Sequence, residues 1–143
     1  MQIDEYQMTY YNPWDTQHLG YLTVTYEPED FAKETERLGK IGCTEYLGYY
    51  GVTGFAAEYE LLAMDADSYE GFAYAICTGK NRITYVVIRF CNYFLDLETE
   101  QYIPKKYLPT GFDASKDNEY KKSRGLGEGI KGNVCSYPRN QCF

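Results

Sequence analysis

Few residues in this chain could carry chemistry, and their spacing decides what that chemistry could be. His18 is the single histidine. One imidazole excludes a two-histidine zinc site and any catalysis that passes a proton between two imidazoles. A Cys–His pair such as Cys43 with His18 would need an activated nucleophile, and nothing near Cys43 resembles such a setting. His18 reads instead as a surface loop residue. Asp65-x-Asp67-x-x-Glu70 offers oxygen ligands to calcium, but its third acid comes late and Gly71 only follows it. A polar hairpin turn accounts for the same residues. Glu58 and Glu60 alternate on one strand face, as a glycosidase pair could. That reaction needs two carboxylates across a deep cleft, so the pair reads as solvent-facing. Gly125-x-Gly127-x-Gly129-x-x-Gly132 has the glycines of a phosphate loop without the preceding strand or the Gly-Lys-Ser/Thr ending, and reads as linker. No metal site and no cofactor signature emerges.

The aromatic residues are better candidates. Tyrosine occurs 17 times in 143 residues. Its ring buries while its hydroxyl finds water or a partner, which suits sheet faces and recognition surfaces alike. Tyr10, Tyr11 and Trp14 surround one loop, and Tyr46, Tyr49 and Tyr50 crowd another. Such platforms stack on sugars or anchor protein partners; packing between strands is the competing use. Five cysteines are present, with no zinc-type spacing. Cys77 and Cys91 fall in apolar strand-like segments and read as small buried hydrophobes. Cys135 and Cys142 lie in the polar tail and could close a loop disulfide in an oxidising compartment.

Charge narrows the partners. The formal net charge is −7. Residues 1–110 carry 17 acidic and 8 basic residues, whereas 111–143 carry 4 and 6. An acidic body repels nucleic acid, whose affinity comes from neutralised phosphates, and attracts cations or a basic protein. No apolar stretch approaches the ~18 residues that a spanning helix requires. The start, Met1-Gln2-Ile3-Asp4-Glu5, is neither basic nor apolar and does not read as a signal peptide.

The positioning elements follow from periodicity. Residues 4–12 alternate Tyr6/Met8/Tyr10 against Glu5/Gln7/Thr9, the pattern of a half-buried strand. Asn12-Pro13-Trp14-Asp15 breaks it. Residues 19–26 resume with Leu22, Val24 and Tyr26 on one side and Tyr21, Thr23 and Thr25 on the other, giving a hairpin. Pro28 opens a helix over 28–40, with Glu29 and Asp30 at its positive end and Arg37 and Lys40 at its negative end. Its stripe is Phe31, Ala32, Thr35 and Leu38, and Gly39 or Gly42 ends it. A three-stranded meander follows: 57–65, a turn at Asp65–Ser68, 69–78, a turn at 79–81, then 82–94. The middle strand puts small residues (Gly71, Ala73, Ala75, Cys77) on one face and large ones (Phe72, Tyr74, Ile76) on the other. The pattern does not say which face takes the helix. The expected fold is α+β, an antiparallel sheet of about five strands with one principal helix on one face, in the order β-β-α-β-β-β. Residues 1–110 read as the domain and 111–143 as a polar, Gly-rich tail.

In its order of elements the chain resembles small uncharacterised proteins of Gram-positive gut bacteria, many of them secreted-lipoprotein-like. The resemblance spans roughly 5–110. It rests on the aromatic strand pair, the helix opening Pro28-Glu29-Asp30-Phe31, the runs Phe72-Ala73-Tyr74-Ala75-Ile76 and Asn81–Phe90, and Lys106-Tyr107-Leu108-Pro109. It implies an envelope location and brings no activity or site residues; a lipobox cysteine and leader are absent from the sequence. Together these readings favour a non-enzymatic binding or interaction module, extracytoplasmic, using an aromatic surface toward protein or carbohydrate. The alternative is a cytoplasmic, acidic immunity- or inhibitor-type protein that binds a basic partner.

Overall fold

A computed structural model of the chain describes residues 1–11, 17–43, 59–67, 71–89 and 99–112. Its strands are β1 (Gln2–Tyr11), β2 (Gln17–Thr25), β3 (Glu60–Asp67), β4 (Gly71–Gly79) and β5 (Arg82–Arg89). Between β2 and β3 lies α1 (Pro28–Ile41), and after β5 come α2 (Thr99–Tyr102) and a 3₁₀ turn, Lys105–Tyr107. The strands form one antiparallel sheet in the order β1-β2-β5-β4-β3. The expected α+β class, with its β-β-α-β-β-β order and single principal helix, is the observed architecture.

Each element has a local cause. Pro28 opens α1 at a position whose N–H has no partner to lose. Gly42 caps the other end, donating its N–H to the Leu38 carbonyl at 3.3 Å. Phe31, Thr35 and Leu38 are buried beneath the helix, while Ala32 of the expected stripe is exposed. The β4–β5 connection turns at Lys80-Asn81, with Asn81 in the left-handed region at φ 55°. Gly71 has φ 108°, and a Cβ there would stand 2.2 Å from the Ile88 carbonyl oxygen, so β4 can meet β5 only with glycine at this position.

Helix α1 sits on the small face of β4. Phe31, Leu38, Leu62, Ala63, Ala75 and Cys77 form the core on that side. Small residues under a helix let its axis approach the sheet. The large residues of β4 face the other way and are covered by residues 99–112. There Ile103, Tyr107 and Leu108 pack on Phe72, Tyr74 and Ile76, and the Phe112 ring meets Phe72 edge-on at 5.6 Å. Tyr74 donates its hydroxyl to the Tyr107 carbonyl at 2.6 Å. The Tyr107 ring tilts against Tyr21 at 5.6 Å and Tyr59 at 6.1 Å.

Four expectations are corrected. Residues 65–67, expected as a turn, continue β3, because Ala66 is buried opposite Phe72 and Asp67 pairs with Gly71. Glu60, expected in solvent, is buried opposite Cys77. Cys77 is buried as expected but is disulfide-bonded, as is Cys43; alternation reports burial and not bonding state. His18 is no loop residue. It lies in β2, paired with Tyr10 on one side and Arg89 on the other.

Candidate functional site

The helix covers only part of its side of the sheet. Five strands at about 4.8 Å spacing span roughly 19 Å, and a helix is about 10 Å wide. Helix α1 lies over β3 and its neighbours, which leaves the β1–β2 side open. Residues paired across neighbouring strands share a face, so the register gives the exposed surface row by row. One row runs Met8, Gly20, Val87, Ala73, Asp65 from edge to edge. The next runs Tyr6, Leu22, Tyr85, Ala75, Ala63. All ten residues line one groove of about 390 Å³, walled on the helix side by Leu38 and Ile41.

This groove is apolar, and its depth comes from small side chains. Gly20, Ala63, Ala73 and Ala75 keep the floor low. A Cβ on Gly20 would stand 2.7 Å from the Met8 sulfur and terminal carbon, so glycine here lets the Met8 side chain lie across β2. Methionine is flexible and polarizable, which suits a wall that adapts. The rim is left to solvent: Ile3, Tyr6, Met8 and Tyr10 of β1 are 60%, 66%, 47% and 65% exposed, and Ile41 is 56% exposed. The alternation of β1 is real, but its Tyr6/Met8/Tyr10 side is not the half-buried face expected, because among the described residues no helix covers that side of β1.

Two polar arrangements border the groove. At the helix, Tyr85 donates to Glu34 Oε1 at 2.7 Å, and Tyr26 donates to the Tyr85 hydroxyl at 2.6 Å. Arg37 grips the same carboxylate with two contacts, Nε to Oε2 at 2.8 Å and a terminal nitrogen to Oε1 at 2.6 Å. These bonds to Arg37 first, outweighing burial and joined by Tyr85, hold the Glu34 carboxyl below its usual range. Burial, then the bonds to Tyr26 and Glu34, push the Tyr85 phenol far up. All four groups are committed to one another, so this network clamps helix to sheet.

On the other flank, one step along the strands, the register row is Tyr10, His18, Arg89, Gly71. The Tyr10 and His18 rings lie nearly parallel, 9° apart with centroids at 6.5 Å. Burial, then the neighbouring Arg89 charge, lower the His18 pKa. Arg89 reaches Asp65 Oδ2 at 3.5 Å. Among the described residues no group of three or more His, Cys, Asp or Glu is placed to hold a metal ion.

Of the aromatic residues singled out in the sequence, the structure puts Tyr10 on this exposed face. Tyr11 pairs with Gln17 at the end of β1. Trp14, Tyr46, Tyr49, Tyr50, Cys135 and Cys142 lie outside the described residues. Sequence reasoning missed Tyr6, Met8, Gly20 and Arg89. The signal was present: a helix of 14 residues is too narrow to cover five strands, so among the described residues the alternating aromatic edge strand has nothing to bury against on that side. No helix among the described residues is long and apolar enough to cross a membrane. Comparison with protein-family models, with curated proteins and with solved structures finds no match to this chain.

Proposed function

We propose that the chain is a non-catalytic binding module that works outside the cytoplasm and engages its ligand or partner through the aromatic, helix-side groove. The observation that carries this reading is the groove itself: a band of apolar floor crossing all five strands, with Tyr6, Met8 and Tyr10 left exposed along its edge. Apolar side chains exposed together on one face mark a binding surface more often than single ones do. Tyrosine at such an edge offers area with little rotamer entropy to lose. The bonding state of Cys43 and Cys77 supports the compartment, since disulfides persist in oxidising surroundings. An acidic inhibitor of a basic protein would want a continuous carboxylate face. The outer side of α1 instead interleaves Glu29, Asp30 and Glu36 with Lys33, Arg37 and Lys40, which weighs against that alternative there.

An uncharged, environment-sensitive apolar dye tests the reading. The full chain is expected to bind it with a blue-shifted emission, and Met8→Glu, which puts a charge over Gly20, is expected to weaken binding by about tenfold or more. Absence of dye binding by the folded wild type, or equal binding by M8E, would overturn the groove as the site.

A further inference from the structure

The shape and the border of this groove say more about what it holds. Its lining comes from two neighbouring register rows and from all five strands, a reach of about 19 Å across the sheet, and it narrows over β4 and β3, where Ala63 and Ala75 are buried beneath α1. A trough that narrow and that long suits an extended chain better than a globular ring system. Its volume, about 390 Å³, lies near the lower end of small-molecule pockets, enough for one aliphatic chain and too little for a two-chain lipid.

One flank of the trough is polar, and a cation stands in it. Arg89 follows Val87 on the same face of β5, so its side chain rises beside the floor. Its one ion pair among the described residues is a single contact to Asp65, 3.5 Å long, and the Asp65 side chain is 70% exposed. That contact uses one corner of a guanidinium whose fork is built to take a carboxylate at two points. Asp65 can turn to water at little cost, because an exposed ion pair of this kind contributes little. His18 and Tyr10 continue the flank with a stacked, polar-edged surface.

We propose, resting on the reading of the groove as the binding site, that it takes a single-chain amphiphile with a carboxylate head: the aliphatic chain lies in the trough across the strands, and Arg89 receives the carboxylate. Charge complementarity at Arg89 selects the head group, and the length of the trough selects an extended chain.

Displacement of the uncharged dye from the full chain by dodecanoate and by dodecanol, both below their aggregation concentrations, tests this. Dodecanoate is expected to displace the dye about tenfold more tightly than dodecanol, the ratio a charge-assisted pair gives. Arg89→Gln is expected to abolish that preference while leaving dodecanol unchanged, and Arg89→Lys to keep part of it. Asp65→Asn, which frees the guanidinium without touching it, is expected to tighten dodecanoate by a few-fold. Equal displacement by acid and alcohol, or a preference that survives R89Q, overturns the head-group assignment while dye binding keeps the groove as the site. If the wild type binds neither dye nor acid and sedimentation shows dimers that M8E dissociates, the face is taken by a second copy. In that case the amphiphile and the groove's ligand role fall together.

Discussion

Both faces of this sheet carry aromatic and aliphatic side chains, and among the described residues only one of them is closed. On the closed face, Phe72, Tyr74, Ile76 and Ile88 are sealed by the segment 99–112, and the one hydroxyl among them is bonded. On the helix side, the sealing element among the described residues is α1 alone, which stops short of the β1–β2 edge. The difference lies in floor height. Large residues on β4 fill the space up to the covering chain. Small ones draw the helix down over β3 and β4 and leave a trough beside it. A face packed to the interior density of proteins stores stability. A face left open forgoes that stability and keeps a surface that can bind.

Substitutions should separate the faces by size of effect. Ile88 is fully buried on the closed face. Ile88→Ala removes its outer carbons and leaves a cavity under a well-packed layer, which typically costs about 2–5 kcal/mol. Urea or guanidinium denaturation, read by near-ultraviolet circular dichroism, is expected to show a midpoint shift of that order. A cost below about 1 kcal/mol would mean that the closed face is not the tight one.

The clamp at the border of the faces predicts an effect of pH. Burial pushes the phenols of Tyr74, Tyr85 and Tyr26 above their usual pKa, and hydrogen bonds to Tyr26 and Glu34 raise Tyr85 further. A raised folded-state pKa gives stability that is complete below the unfolded value, near pH 10, and is lost as pH rises through the folded one. Stability should therefore fall above about pH 10. In a titration of absorbance at 295 nm, these three tyrosines should ionise only together with loss of the fold. Ionisation of Tyr26 and Tyr85 near pH 10, with the fold intact, would break the clamp. The acid side carries the opposite sign: Glu34, held below its usual range by Arg37, contributes stability above the unfolded carboxyl pKa and loses it as pH falls.

The sheet was legible because period-two alternation survives in β1, β2, β4 and β5, and the helix because Pro28 and its end charges mark it. The side taken by the helix was not legible, since alternation gives two faces and no sign. It follows from sizes on β4, Ala73 and Ala75 against Phe72 and Tyr74. The small helices at 99–107 escaped because their apolar residues, Ile103, Tyr107 and Leu108, are too few to show a period. The groove escaped for another reason. Its parts come from every strand and meet only through register, so no window of sequence contains it. Gly20 in isolation is a weak spot in a strand, and only opposite Met8 does it become a floor.

The smallest expected effect is the most informative about the open face. Tyr6 is two-thirds exposed on the edge strand, and its ring lines the groove. Tyr6→Thr keeps a β-favouring residue, so backbone propensity changes little, and most of the lost ring area already faced water. Stability should move by no more than about 0.5 kcal/mol, a small fraction of the loss at Ile88, while dye affinity in the groove falls by a few-fold. Denaturation and dye titration on the same preparation give both numbers. If Tyr6→Thr instead lost stability on the scale of Ile88→Ala, the β1 edge would be part of the core in solution, and the contrast between the faces would disappear. A residue that matters for binding and hardly at all for folding is what an open recognition face requires, and Tyr6 is placed to be one.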